Sequence, residues 1–224
     1  MLARLFVWTG GALFVASLAL CVGWYSFVLG RDVPAADWSA WIYDAGLFGI
    51  FAAHHSLLAR DAVKRSVAGV ISEPLVRSAY VWAASLLLAL TCVLWRPVGG
   101  LVYHVFGWRG AVFAGIQLAG LLFIAQAVRR MDPLELAGIR RPAVSSLQIT
   151  GPYRWVRHPI YLGWMMMVFG AAKMTGDRLA FAVISSAYLV IAVPWEERSL
   201  SRQAGEEYER YKQQVKWRIV PYVF

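Results

Sequence analysis

Five polar residues stand at the edges of two uncharged segments near the end of the chain, and their types suit the handling of a charged small molecule. Arg157, His158 and Tyr161 sit at the mouth of one apolar run, in the stretch GPYRWVRHPIYLGW from Gly151. Glu196 and Glu197 sit at the exit of the next. If the two runs form a hairpin, the clusters meet at one membrane face. Arg binds a carboxylate through two parallel N–H bonds. Glu accepts hydrogen bonds from an ammonium or from ribose hydroxyls, and Tyr and Trp faces stabilise a sulfonium by cation–π attraction. S-adenosyl-L-methionine, zwitterionic and cationic at once, carries all of these groups. A plainer reading stays open: Arg157 as a topology charge, His158 as an interfacial cap, the Glu pair as solvated acids. Two adjacent acids beside a basic mouth favour the functional reading, because charges at a membrane edge tend to pair.

The elements that must position these residues follow from punctuation and hydropathy. Gly151-Pro152-Tyr153 is a turn, and His158-Pro159 closes one element and opens another. Pro159 suits the first turn of a helix, and His158 and Tyr161, three apart, share a face at its mouth. The hairpin arms are Pro159–Ala172 and Leu179–Trp195, joined by Lys173–Arg178. The first arm is short for a full crossing at about 1.5 Å per residue; tilt, a helical extension before His158, or a shallow hairpin buried in protein would each accommodate it. Upstream, apolar spans are expected at about Leu5–Leu29, Trp38–Leu58, Arg77–Trp95 and Ala111–Val128. Gln126, at the end of the fourth, is a weaker pocket candidate that equally suits a helix–helix hydrogen bond. Beyond Glu196 the chain turns polar, and Tyr208, Tyr211 and Val215 recur at helical spacing in an amphipathic surface helix.

The composition agrees. Of 224 residues 59% are hydrophobic and 16% charged, against about a quarter charged in soluble domains, and mean hydropathy is +0.54. We expect an all-α, polytopic integral membrane bundle, about five spans with a C-terminal helical hairpin. It forms a single domain over 1–224, with four transmembrane helices in 1–128 and a cofactor-binding region in 129–224. The strand alternation of an outer-membrane barrel is absent. Cys21 and Cys92 fall inside spans without a Cys-x-x-Cys, which argues against a disulfide framework or thiolate metal site. Four histidines without a His-x-x-His or Glu-x-x-His cluster argue against any metal. The net charge of +9 reads as topology, since no nucleic-acid motif accompanies it. With both termini cytoplasmic, 17 of the 22 basic residues fall on the cytoplasmic side, as the positive-inside rule requires.

The two-part motif resembles the isoprenylcysteine carboxyl methyltransferase superfamily. Its first half is Gly151-Pro-Tyr-x-x-Val-Arg-His-Pro-Ile-Tyr-x-Gly-Trp. Its second is Glu196-Glu-x-x-Leu, Gly205-x-x-Tyr-x-x-Tyr and a closing Val220-Pro221. Upstream, His55-Ser56-Leu-Leu-Ala-Arg60, Lys64-Arg65, Arg77-Ser-x-Tyr80-Val and Trp95-Arg96-Pro97 resemble the bacterial branch that contains methanethiol S-methyltransferase; Asp132-Pro-Leu-Glu-Leu-Ala-Gly-Ile does so more loosely. That branch usually has Gln before the His, where this chain has His54.

The resemblance implies a bacterial inner-membrane enzyme with a cytoplasm-facing S-adenosyl-L-methionine pocket. His158 and Tyr161 would line it, with Arg157 and Pro159 nearby. Glu196 and Glu197 would hold the polar end, and Tyr153 and Tyr211 would be secondary lining. The acceptor, a small or lipophilic thiol, carboxylate or other heteroatom compound, would enter laterally from the bilayer. Arg77 or His55 would orient it; for His54 and His55, capping and interfacial packing is the alternative that the sequence favours over a substrate or base role. Two alternatives remain: an NADPH-dependent membrane reductase of sterol-reductase type, and a non-enzymatic membrane protein with a relic pocket. Oligomeric state leaves no mark in the sequence.

Overall fold

The computed structural model describes residues 1–57, 73–131, 133–140 and 147–224. The basic positions Arg60, Lys64, Arg65 and Arg141, the end of the second expected span at Leu58, and Asp132 lie outside the described residues. Two compact units emerge. One comprises Met1–Gly100, Asp132–Ala143 and Thr175–Asp177; the other comprises Leu101–Met131, Val144–Met174 and Arg178–Phe224.

In the first unit, α1 (Leu2–Gly23) continues as a π-helical turn over Trp24–Val28. It packs, as does α2 (Trp38–Leu57), against α3 (Glu73–Leu94). Gly10 lets α1 close on α3. A Cβ there would stand 2.7 Å from Trp82 Nε1, which donates to the Phe6 carbonyl at 3.0 Å. The short helix α5 (Pro133–Leu136) belongs to this unit. So does Asp177, whose buried carboxylate accepts Trp95 Nε1–H at 3.2 Å, Val98 N–H at 2.9 Å and Gly99 N–H at 2.8 Å.

In the second unit, β1 (Leu101–His104) leads into α4 (Gly107–Val128); a 3-10 turn (Gly151–Arg154) precedes α6 (Pro159–Phe169). The strand β2 (Lys173–Thr175) pairs with β1, and α7 (Gly176–Ala204), in this unit from Arg178 onward, and α8 (Glu206–Gln214) close the chain. The helices α4 and α6 touch backbone to backbone at two glycines. A Cβ on Gly120 would lie 2.6 Å from the Gly163 carbonyl oxygen, and one on Gly163 would lie 2.7 Å from that of Gly120. Helix pairs use this kind of small-residue contact in lipid.

Four of the described helices, Leu2–Val28, Leu75–Leu94, Gly107–Val128 and Gly176–Ala204, are long and apolar enough to cross a bilayer. Their outward faces are apolar too: Leu86, Leu90 and Val93 on α3, and Leu118, Leu121 and Leu122 on α4, are exposed. Such a surface is stable against hydrocarbon and not against water. The protein is a polytopic helical membrane protein, as expected. Two features differ from the sequence reading. A two-stranded ladder appears where none was anticipated. And α7 does not stop at Trp195: it runs through Pro194 to Ala204, because Pro forfeits one backbone hydrogen bond while the residues after it include the good helix formers Glu, Arg, Leu and Gln. The first hairpin arm is the short one. The 11 residues of α6 rise only about 16 Å.

Candidate functional site

The second unit gathers both polar clusters. Gly151, at φ +63°, turns the chain into the 3-10 segment in a conformation that favours glycine. His158 is the N-cap of α6 and Pro159 its first residue. The rings of His158 and Tyr161 stack at 5.3 Å with a 17° tilt, the one-face placement their spacing predicts. Because α7 remains helical past Trp195, Glu196 and Glu197 are fixed on a rigid element rather than on a tail. Adjacent helical positions point in directions about 100° apart, so the two acids reach different neighbours.

Glu196, its side chain 44% exposed, accepts the Tyr161 hydroxyl and lies 3.4 Å from His158 Nδ1. Glu197 is buried. Arg157 Nε donates to it at 2.6 Å, Arg218 Nε lies 3.3 Å away, and His158 Nε2 lies 3.5 Å away. Burial works against charge on His158, yet hydrogen bonding to Glu196 and Glu197 outweighs it, and the imidazole pKa is raised above 6.5.

Arg157 does more than pair with an acid. Its guanidinium donates to the carbonyls of Val215 at 2.7 Å and Lys216 at 2.9 Å. The backbone N–H groups of Arg157 and His158 donate to Trp217 and Arg218 at 2.9 and 2.8 Å. The C-terminal segment is thereby stitched across the mouth of α6. Tyr211 donates to the Tyr153 carbonyl at 2.7 Å. It is buried with Tyr208 and Val215 against Leu147, Leu200 and Ala204. The Tyr153 hydroxyl is buried and has no hydrogen-bond partner among the described residues; burial pushes it up to about 12.

Of the residues predicted from sequence, Tyr153, Arg157, His158, Pro159, Tyr161, Glu196, Glu197 and Tyr211 all belong to this one linked neighbourhood. Gln126 does not join these contacts and is exposed on α4. Arg77 and His55 belong to the first unit. Arg77 Nε donates to the Glu135 carbonyl at 2.9 Å. His55 Nδ1 lies 2.8 Å from the Tyr80 hydroxyl, whose ring stacks on His54 at 5.5 Å. Sequence reasoning missed Arg218, the second cation on Glu197. Its only signal was charge: two acids, one arginine and a histidine leave room for another cation. It also missed Gln117, which donates to the Met167 carbonyl at 2.8 Å; a lone amide inside an apolar span was the clue.

Comparison with known proteins identifies the family. The phospholipid methyltransferase family model matches residues 112–207. A methanethiol S-methyltransferase from Crocosphaera subtropica is 31% identical, over 83% of this chain and 76% of its own length. Methanethiol S-methyltransferase 1 of Bradyrhizobium diazoefficiens is 33% identical over 83% and 68%. The Xenopus laevis protein Nurim is 29% identical over 65% and 57%. No solved structure matches the chain. Relatives matched along most of their length, and a membrane bundle that assembles the two-part motif, place this chain in the family of membrane methyltransferases that includes the methanethiol S-methyltransferases.

Proposed function

We propose that the chain uses S-adenosyl-L-methionine to methylate a small thiol, with residues 129–224 forming the cofactor region and 1–128 its membrane housing. One observation carries the reading: Tyr161, His158 and the two acids of α7 converge in a chain whose relatives are named for methyl transfer to methanethiol. The residues fit the donor. The exposed flank of Glu196 suits an ammonium or ribose hydroxyls, and the Tyr161 ring suits a sulfonium. Arg157, already engaged by Glu197 and two carbonyls, acts through them: it fixes Glu197 and the C-terminal segment that would cover the cofactor. Pro159 sets the start of α6. Tyr153 and Tyr211, linked by one hydrogen bond, and Gln126, which stands outside these contacts, are assigned as further lining. His55 and Arg77 are assigned to orienting the acceptor. The excess of basic residues favours a topology with both ends of the chain at the cytoplasmic face, and a bacterial inner membrane is the setting proposed.

When bound, the donor would supply an electrophilic sulfonium methyl that passes in line to the acceptor thiolate, with S-adenosylhomocysteine as the leaving group and the thiol proton lost to solvent. The protein's own work is positioning and water exclusion. Glu196 orients the polar end and His158 keeps its proton between two carboxylates.

Calorimetric titration of detergent-purified protein with S-adenosylhomocysteine tests this. Saturable binding is expected, and Glu196→Ala weakens it about tenfold, the loss of one charge-assisted hydrogen bond. Supplied with S-adenosyl-L-methionine and methanethiol, the protein then yields dimethyl sulfide and S-adenosylhomocysteine. Binding of NADPH alone identifies a reductase instead.

A further inference from the structure

The second unit contains a cavity of about 430 Å³ that borders the proposed cofactor neighbourhood at Glu197 and is otherwise lined by residues given no part in holding the cofactor. Arg198, Ser201, Arg202, Lys212 and Arg218 line it together with Glu197 and Pro194. Two of its four cations are committed: Arg218 to Glu197 at 3.3 Å and Lys212 to Glu209 at 2.8 Å. Arg198 and Arg202, one turn apart on α7, are exposed and have no ion-pair partner among the described residues. Glu197, already held by Arg157, cannot also neutralise them. The cavity therefore carries uncompensated positive charge.

What lies beside it identifies the ligand. On an α-helix, positions four, four, three and four apart share one face. Ala187, Ile191, Trp195, Arg198 and Arg202 follow that spacing, and all five are exposed. The stripe is apolar for its first eight residues, about 12 Å of rise, which is most of the roughly 15 Å of hydrocarbon in one leaflet. Trp195, where the change occurs, is the residue type that marks a membrane interface. Immediately beyond it come the two arginines. An amphiphile with an acyl chain and an anionic head matches this sequence of surfaces in order. A soluble anion has no use for the apolar half, and a zwitterionic lipid brings a cation to an already basic cavity.

We infer that the cavity seats the phosphate of an anionic phospholipid whose acyl chain lies along Ala187, Ile191 and Trp195. Basic pockets at membrane interfaces hold acidic lipid heads in this way. Arg198 and Arg202 grip the phosphate, while the Ser201 hydroxyl donates to Glu209 at 2.9 Å.

Native mass spectrometry of the full chain, released from mixed micelles containing phosphatidylglycerol or phosphatidylcholine, tests the inference. The wild type retains phosphatidylglycerol preferentially, and R198Q/R202Q weakens retention by roughly thirtyfold, from the loss of two interfacial cations. R198K/R202K keeps most of the preference, which separates lost charge from lost fold. Glycerol 1-phosphate does not compete. Equal retention of the two lipids overturns the inference, as does an unaffected R198Q/R202Q variant. Displacement by glycerol 1-phosphate overturns it in favour of a free-anion site. S-adenosylhomocysteine binding in phosphatidylcholine micelles provides the last arm. R198Q/R202Q leaves it unchanged if the cavity belongs to a lipid; weakening comparable to the loss of phosphatidylglycerol assigns the cavity to the cofactor and overturns the lipid.

Discussion

Helix α7 carries a buried carboxylate toward each end, and the two are satisfied in opposite ways. Asp177 accepts three neutral N–H groups, one from an indole and two from backbone. Glu197 is surrounded by Arg157, Arg218 and His158. Neutral fixed donors neither titrate nor leave, so the Asp177 end behaves as a structural knot that pins the loop after α3. A carboxylate ringed by cations sits in a field that a charged ligand feels, so the Glu197 end has the electrostatics of a binding site. A carboxylate's burial does not distinguish these roles; the charge of its donors does.

Substitutions can break this contrast. Arg157→Met leaves Glu197 with a weaker set of partners and frees the Val215 and Lys216 carbonyls; breaking a buried pair costs about 3–5 kcal/mol, read as a lowered unfolding midpoint in detergent. Asp177→Asn keeps the shape but aims an amide at N–H donors. It is expected to cost about 1–3 kcal/mol, with an effect independent of salt; strong salt dependence would erase the distinction between the two ends. Tyr211→Phe removes one buried hydrogen bond to the Tyr153 carbonyl and should cost about 1 kcal/mol, with faster proteolysis after Gln214 as the readout. The smallest effect sharpens the contrast through pH. His158 has a raised folded-state pKa, so its contribution is complete below about pH 6.5, the ordinary histidine value, and is lost as pH rises through the folded value. Wild type should therefore lose more stability than His158→Gln between pH 6 and pH 9, and parallel curves would refute the assignment.

Much of this was legible in the residues. Long uncharged runs forecast the helices, the three-residue interval between His158 and Tyr161 forecast their stacking, and the interval from Tyr208 to Tyr211 forecast a shared buried face. Less legible was anything set by contacts distant in sequence. Arg218 meets Glu197 across 21 positions, and Gln117 meets Met167 across 50. The strands β1 and β2, four and three residues long, are too short to show alternation. The second arm read as ending at Trp195 because its apolar run ends there, although the helix continues to Ala204.

The brevity of α6 bears on how the protein is made. A helix ending partway through a bilayer leaves carbonyls that lipid cannot satisfy. Here Gln117 takes that of Met167, the Tyr103 hydroxyl takes that of Phe169, and Val105 N–H takes that of Ala172. All three donors lie earlier in the chain, on α4 or just before it. During synthesis α6 cannot partition into the membrane on its own merits; it enters against an α4 already in place. The order of the genetic message thus matches the order of insertion, and a chain permuted to make α6 before α4 should stall at the translocon.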